Sequence, residues 1–188
     1  SDVCSSDLVR VAPPVFQRGG GGSTPTSALQ LFFESCDLSC FRALNKAWHS
    51  MLPEIGGSRG RVYYRAVFEN VIYAVAMWSN PIAPKLPQRT WLELRRLAIA
   101  PDAPRNTASR MLGWMARDAK SRFPEVVMLI SYQDTIAHTG GIYKAAGWRK
   151  AENYIGRRSG KGWASRSRPR PTNQPLSPRM RWEKEVQR

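Results

Sequence analysis

The segment Pro104-Arg105-Asn106-Thr107-Ala108-Ser109 follows a strand-like run and precedes a helical one. In that layout the backbone N–H groups of a helix N-terminus hold a pyrophosphate. Arg105 and Arg110 would neutralise the phosphates, with Asn106 at the turn and Thr107 and Ser109 as hydroxyl donors. The same residues also suit an ordinary strand-to-helix turn, with Asn106 or Thr107 as its N-cap. Further along, Ser131-Tyr132-Gln133-Asp134 closes an apolar run, so a strand end would present the Asp134 carboxylate to a cleft. A turn or cap carboxylate ahead of His138 is the alternative. His49 ends a helical stretch, where a histidine can serve the C-terminal dipole. Arg95 and Arg96 are strand neighbours and are expected to face opposite sides, one of them toward solvent or the cleft. Tyr132 and Tyr143 fit either the cleft or half-buried core positions.

The elements that must position these groups follow from periodicity. From Asp37 as N-cap, Leu38, Phe41, Leu44, Ala47, Trp48 and Met51 recur at helical spacing up to Pro53. After Gly56-Gly57, residues 61–69 and 71–78 read as a hairpin turning at Asn70. Residues 91–99 form a third strand. A helix from about Asn106 to Arg122 places Ala108, Met111, Leu112, Met115, Ala116 and Ala119 on one face. The apolar run at 126–130 predicts a central strand covered on both sides. A helix then runs from about Thr139 to Ala146, with Gly147 as its left-handed C-cap and Trp148 opening another strand.

A length of 188 residues suits one domain with tails, and a net charge of +15 directs the molecule toward polyanions, of which nucleic acid is the commonest. A soluble domain with a basic surface is the plainer reading. Residues 1–27, with Pro13-Pro14 and Gly19–Gly22, are expected to stay disordered; residues 28–156 form the domain, and residues 157–188 a basic, proline-rich tail. In that tail Arg157, Arg158, Lys161, Arg166, Arg168 and Arg170 would track phosphates, while Trp163 and Trp182 would stack on bases or dock on the domain. Cys4, Cys36 and Cys40 lack CxxC spacing, so reduced thiols are expected. No apolar stretch is long enough to span a bilayer, and the expected compartment is the cytoplasm.

The string Ile142-Tyr143-Lys144-Ala145-Ala146-Gly147-Trp148 resembles the tyrosine motif of the Gcn5-related N-acetyltransferase superfamily. Together with Leu92-Glu93-Leu94-Arg95-Arg96-Leu97-Ala98-Ile99, Pro104-Arg105-Asn106-Thr107-Ala108-Ser109-Arg110, Ser131-Tyr132-Gln133-Asp134 and His138, it resembles the Mom family of phage DNA-modification proteins over residues 44–156. The resemblance implies an α/β fold of acetyltransferase type. Its mixed, mostly antiparallel central sheet is flanked by helices, and two parallel strands splay to admit acetyl-CoA or a related thioester, with Tyr143 aimed at the sulfur. It further implies that the exocyclic amine of adenine in double-stranded DNA is converted to a carbamoylmethyl (acetamido) form that protects phage DNA from host restriction. The matching functional positions are His49, Arg95 or Arg96, Asp134 and Tyr143. The chain departs from the pattern in two places: the pyrophosphate loop has no glycine, and Ser50 stands where a tyrosine often follows the histidine. Adenine's amine is a weak nucleophile because its lone pair is delocalised, so a base such as Asp134 must take its proton. Acyl transfer would attach nitrogen to a carbonyl carbon, whereas this product attaches it to a methylene. That difference suggests a metal site in which His49, His138 and Asp134 give Fe(II) a two-histidine, one-carboxylate set. An ordinary N-acetyltransferase acting on a protein or small amine is the competing expectation.

Overall fold

The computed structural model describes residues 23–49, 52, 60–156 and 178–186. Order begins ahead of residue 28. Ser27 caps a short 3-10 turn at Ala28–Gln30, its hydroxyl accepting the Leu29 N–H while the Gln30 side chain accepts the Ser27 N–H. Strand β1, Phe32–Cys36, was not foreseen from the sequence. Helix α1, Leu38–Trp48, starts on the Asp37 carboxylate, which accepts the Cys40 N–H at 2.7 Å. Strands β2, Val62–Phe68, and β3, Val71–Ser79, form the expected hairpin. Its turn places Glu69 and Asn70 at φ 46° and 64°, left-handed values that match the twist of the flanking strands. There follow β4, Trp91–Ile99; α2, Thr107–Arg122; β5, Met128–Asp134; α3, Gly141–Ala145; β6, Arg149–Gly156; and β7, Arg179–Glu185.

The seven strands make one sheet in the order β1-β2-β3-β4-β5-β7-β6. Every neighbouring pair is antiparallel except β4 and β5. That parallel pair is joined only from Trp91 and Met128 to Leu94 and Ser131, although β4 continues to Ile99 and β5 to Asp134. The two strands therefore splay, as the resemblance implies.

Residues 179–185, expected in the basic tail, are instead a strand inserted between β5 and β6. The insertion is driven by Trp182. This side chain is only 1% exposed, stacks on Tyr143 with centroids 5.2 Å apart, and donates its Nε1–H to Gln133 Oε1 at 2.6 Å. Trp182 is thus a core residue docked on the domain and no platform for bases. Gly140 lies so close that a Cβ there would stand 2.5 Å from both Gln133 Oε1 and the Trp182 ring, and its φ of +79° already favours glycine.

Helices cover the sheet unequally. On one face Phe41 and Leu44 of α1 pack on Ile72, Val75, Met77 and Ala98 of β3 and β4. On the other, Met111, Leu112 and Met115 of α2, with Tyr143 and Trp148, pack against Leu92, Leu94, Leu129 and Trp182. Because α1 sits on β2, β3 and β4, the α1 face of β5, β7 and β6 is left largely uncovered by described helices. No described helix is long and apolar enough to cross a membrane.

Candidate functional site

Strand alternation assigns side chains to the two faces. Arg96 pairs with Met77, and Glu93 with Ser79 and Ile130, which puts both on the α1 face; Tyr132, Asp134, Arg179 and Arg181 follow on that face from the β5–β7 register. The expectation that Arg95 and Arg96 face opposite sides fails for a local reason. The β3–β4 register shifts between Met77 and Trp78, so Arg95 is the extra residue of a bulge. The bulge re-aims Arg95, whose Nε meets Glu93 Oε1 at 3.2 Å with both side chains 8% exposed. Glu93 Oε2 also accepts the Ile82 N–H at 2.9 Å, and burial pushes this carboxyl above its ordinary range. Sequence reasoning passed over Glu93. Its alternation with Trp91 and Arg95 on β4 was the available signal.

Arg96 is likewise buried, and burial, then the charges of Arg95 and Arg179, push its guanidinium down to about 10. His49 is the C-cap residue of α1, and its Nδ1 accepts the Leu52 N–H at 3.2 Å. Burial, reinforced by the positive charges of Arg96 and His138, pushes its imidazole down to about 4. His49, Arg96 and His138 thus share one electrostatic neighbourhood, and His49 is neutral at pH 7. A histidine titration followed by NMR should place the His49 midpoint near 4 and move it up on Arg96→Gln; a midpoint at the unperturbed 6.5 would contradict this placement. The stability effect has a definite sign. Between pH 6.5 and about 4 the unfolded chain binds a proton that the folded chain refuses, so this histidine makes folding progressively less favourable as pH falls through that window.

Asp134 ends β5 on the open face, and its Oδ1 accepts the N–H groups of Ile136 (2.9 Å) and Ala137 (3.2 Å). The turn role foreseen as the alternative is therefore real, and it fixes the carboxylate's orientation. Beside it Tyr132 and Tyr154 have ring centroids 5.4 Å apart, and the Arg181 guanidinium lies 5.1 Å from the Tyr154 ring and 5.8 Å from that of Trp91. These aromatics, rather than Trp182, line the uncovered face.

Tyr143 is separated from the other expected catalytic residues by the sheet. It is 8% exposed, and its hydroxyl shares a 2.8 Å hydrogen bond with Ser131, the last β5 residue paired to β4. The phenol therefore stands at the apex of the splay, and burial raises its pKa. Below it, Asn106 precedes α2 at φ 68°, and no side chain caps that helix. Asparagine tolerates the left-handed region, which accounts for a loop without glycine. The uncapped first turn, flanked by exposed Arg105 and Arg110, suits a pyrophosphate. Thr107 and Ser109 do not join it, since their hydroxyls donate to Pro104 O (2.7 Å) and Asn106 O (3.1 Å).

The expected metal set is not assembled. Among the described residues no three His, Cys, Asp or Glu side chains are grouped to hold a metal ion, so His49, His138 and Asp134 do not form one. The Asp134 carboxylate is turned toward its own loop, and His49 sits in a field of positive charge, two reasons for the failure. Arg157, Arg158, Lys161, Arg166, Arg168 and Arg170 lie outside the described residues. Cys36 and Cys40 are free thiols, and burial pushes the Cys36 thiol up to about 12.

Comparison with known proteins matches the sequence pattern of the Mom protein family to residues 63–167. No curated protein matches the chain. Among solved structures, the ribosomal-protein-S18-alanine N-acetyltransferase of Escherichia coli aligns over 83% of this chain and 94% of its own, with 14% identity and a TM-score of 0.56. An acetyltransferase of Bacillus subtilis in complex with CoA aligns over 82% and 98%, with 12% identity and a TM-score of 0.58. An N-acetyltransferase of Staphylococcus aureus Mu50 aligns over 84% and 99%, with 9% identity and a TM-score of 0.58. The fold is that of the acetyltransferases.

Proposed function

Since this chain belongs to the Mom protein family, we propose that it is a transferase that modifies DNA, converting the exocyclic amine of adenine to the carbamoylmethyl form and so protecting phage DNA from restriction. The observation that carries the reading is the placement of Asp134 and the Tyr132–Tyr154 pair on the uncovered face, with Arg96 buried on the same side of the sheet, across the splayed strands from the Tyr143 hydroxyl. An adenine swung out of the duplex would rest on the two tyrosine rings with its amine toward Asp134. As the bond from nitrogen to the methylene carbon forms, the bond from that carbon to its leaving group breaks, so the donor would be a two-carbon unit that already carries the carboxamide and bears its leaving group on the methylene, while Asp134 takes the amine proton. A CoA thioester, when bound, would supply an activated acyl group, with its pyrophosphate on the first turn of α2 and on Arg105 and Arg110. Acyl transfer by itself joins nitrogen to the carbonyl carbon, so the carbamoylmethyl product requires attack at the methylene.

The reading is tested by isolating DNA from cells expressing the protein and cutting it with adenine-site endonucleases. Resistance is expected, and full sensitivity would contradict it. The uncapped α2 turn keeps a second reading in view, an N-acetyltransferase acting on a protein or small amine. That enzyme would bind acetyl-CoA in a calorimeter and leave DNA unchanged.

A prediction about the basic segment is reshaped by β7. Deleting residues 157–188 would remove a strand of the sheet, so the charges must be neutralised in place. Replacing Arg157, Arg158, Lys161, Arg166 and Arg168 together by Gln should weaken duplex binding and flatten its logarithmic salt dependence by on the order of 0.9 per lost phosphate contact. An unchanged slope would show that these residues do not touch DNA.

A further inference from the structure

The Arg96 side chain is planar, charged and over nine-tenths buried, and only one edge of it is occupied. Nη1 donates to the Arg95 carbonyl at 2.7 Å, whereas Nε is buried without a hydrogen-bond partner. The edge formed by Nε and Nη2 is the one that grips a two-oxygen anion side-on with parallel N–H···O bonds. Among the described residues no carboxylate is hydrogen-bonded to this edge. The nearby carboxylate of Glu93 is committed to Arg95 Nε and the Ile82 N–H. A buried guanidinium without a compensating anion costs free energy. The unfilled edge belongs to β4 just past the last residue paired with β5, at the mouth of the splay on the α1 face.

We propose that the Nε–Nη2 edge of Arg96 is a binding site for a small, singly charged carboxylate. One uncompensated fork matches one planar monoanion. The bulge is what makes the site: by turning Arg95 onto Glu93 it removes the only acid that could have satisfied Arg96 from the same strand. With Arg96 only 8% exposed, the proposal is confined to a carboxylate of one or two carbons, since a phosphodiester carries two bulky substituents. The site goes beyond the DNA reading and stands if that reading fails. If both hold, the carboxylate lies on the same face as Asp134.

The test follows the Arg96 Nε–H resonance of the full chain, assigned through bonds in the wild type, during titration with acetate and, separately, inorganic phosphate at constant ionic strength. Acetate should shift it saturably and at least about tenfold more tightly than phosphate, since a side-on fork pairs with a planar carboxylate. Arg96→Lys, which keeps the charge and removes the fork, should abolish the acetate response. No saturable acetate shift would overturn the proposal, as would phosphate binding at least as tightly as acetate. If Arg96→Lys does not fold, the wild-type titration decides alone. Loss of DNA modification with acetate binding intact would count against the DNA reading only.

Discussion

Asp134→Asn leaves a folded protein that still binds duplex DNA but modifies adenine at least about 100-fold more slowly, the scale of a lost general base. The substitution isolates charge from architecture. The Asp134 Oδ1 accepts two backbone N–H bonds from Ile136 and Ala137, and an asparagine oxygen can accept both, so the turn after β5 persists. What disappears is the proton acceptor. Single-turnover modification of a DNA duplex, alongside the urea midpoint of each protein, separates the two contributions. Full activity would reduce Asp134 to a turn residue, and a large fall in the midpoint would show that the carboxylate is structural.

Trp182→Ala removes the largest side chain of β7 and is expected to cost about 3–5 kcal/mol, a substantial part of the stability of a domain this size. The indole is 1% exposed, stacks on Tyr143 at an interplanar angle of 15°, and satisfies Gln133 through its Nε1–H. Its loss opens a cavity between β7 and α3 and strands a buried amide oxygen. Trp182→Phe keeps most of the volume and loses the hydrogen bond, so it should cost about 1–3 kcal/mol. Denaturant unfolding measures both. A wild-type midpoint for the alanine variant would mean that β7 is peripheral.

How far the fold could be read follows from what each element buries. The hairpin, α2 and the parallel strands announce themselves through sustained apolar periodicity, and the left-handed Asn70 and Gly147 mark their turns. β1 and β7 do not. Phe32–Cys36 is an edge strand whose Phe32 is 80% exposed, and Arg179–Glu185 carries Met180 and Trp182 as its only apolar residues, so charge masks the alternation. The site was legible in the same measure. Asp134 at a strand end and the loop before α2 are local patterns. The shared side of Arg95 and Arg96 depends on a bulge against β3, and the pairing of Asp134 with Arg179 depends on a strand returning from far along the chain; neither leaves a local trace.

The central claim is a change to adenine itself, and the most direct measurement weighs the nucleosides. DNA from cells expressing the wild type or Asp134→Asn would be digested, separated and fragmented by tandem mass spectrometry. The account predicts a modified deoxyadenosine in the wild-type sample whose fragments place a methylene next to the exocyclic nitrogen, with little or none of it in the variant. Unmodified adenine from both samples, or an acetyl group bonded to nitrogen through its carbonyl carbon, would contradict it.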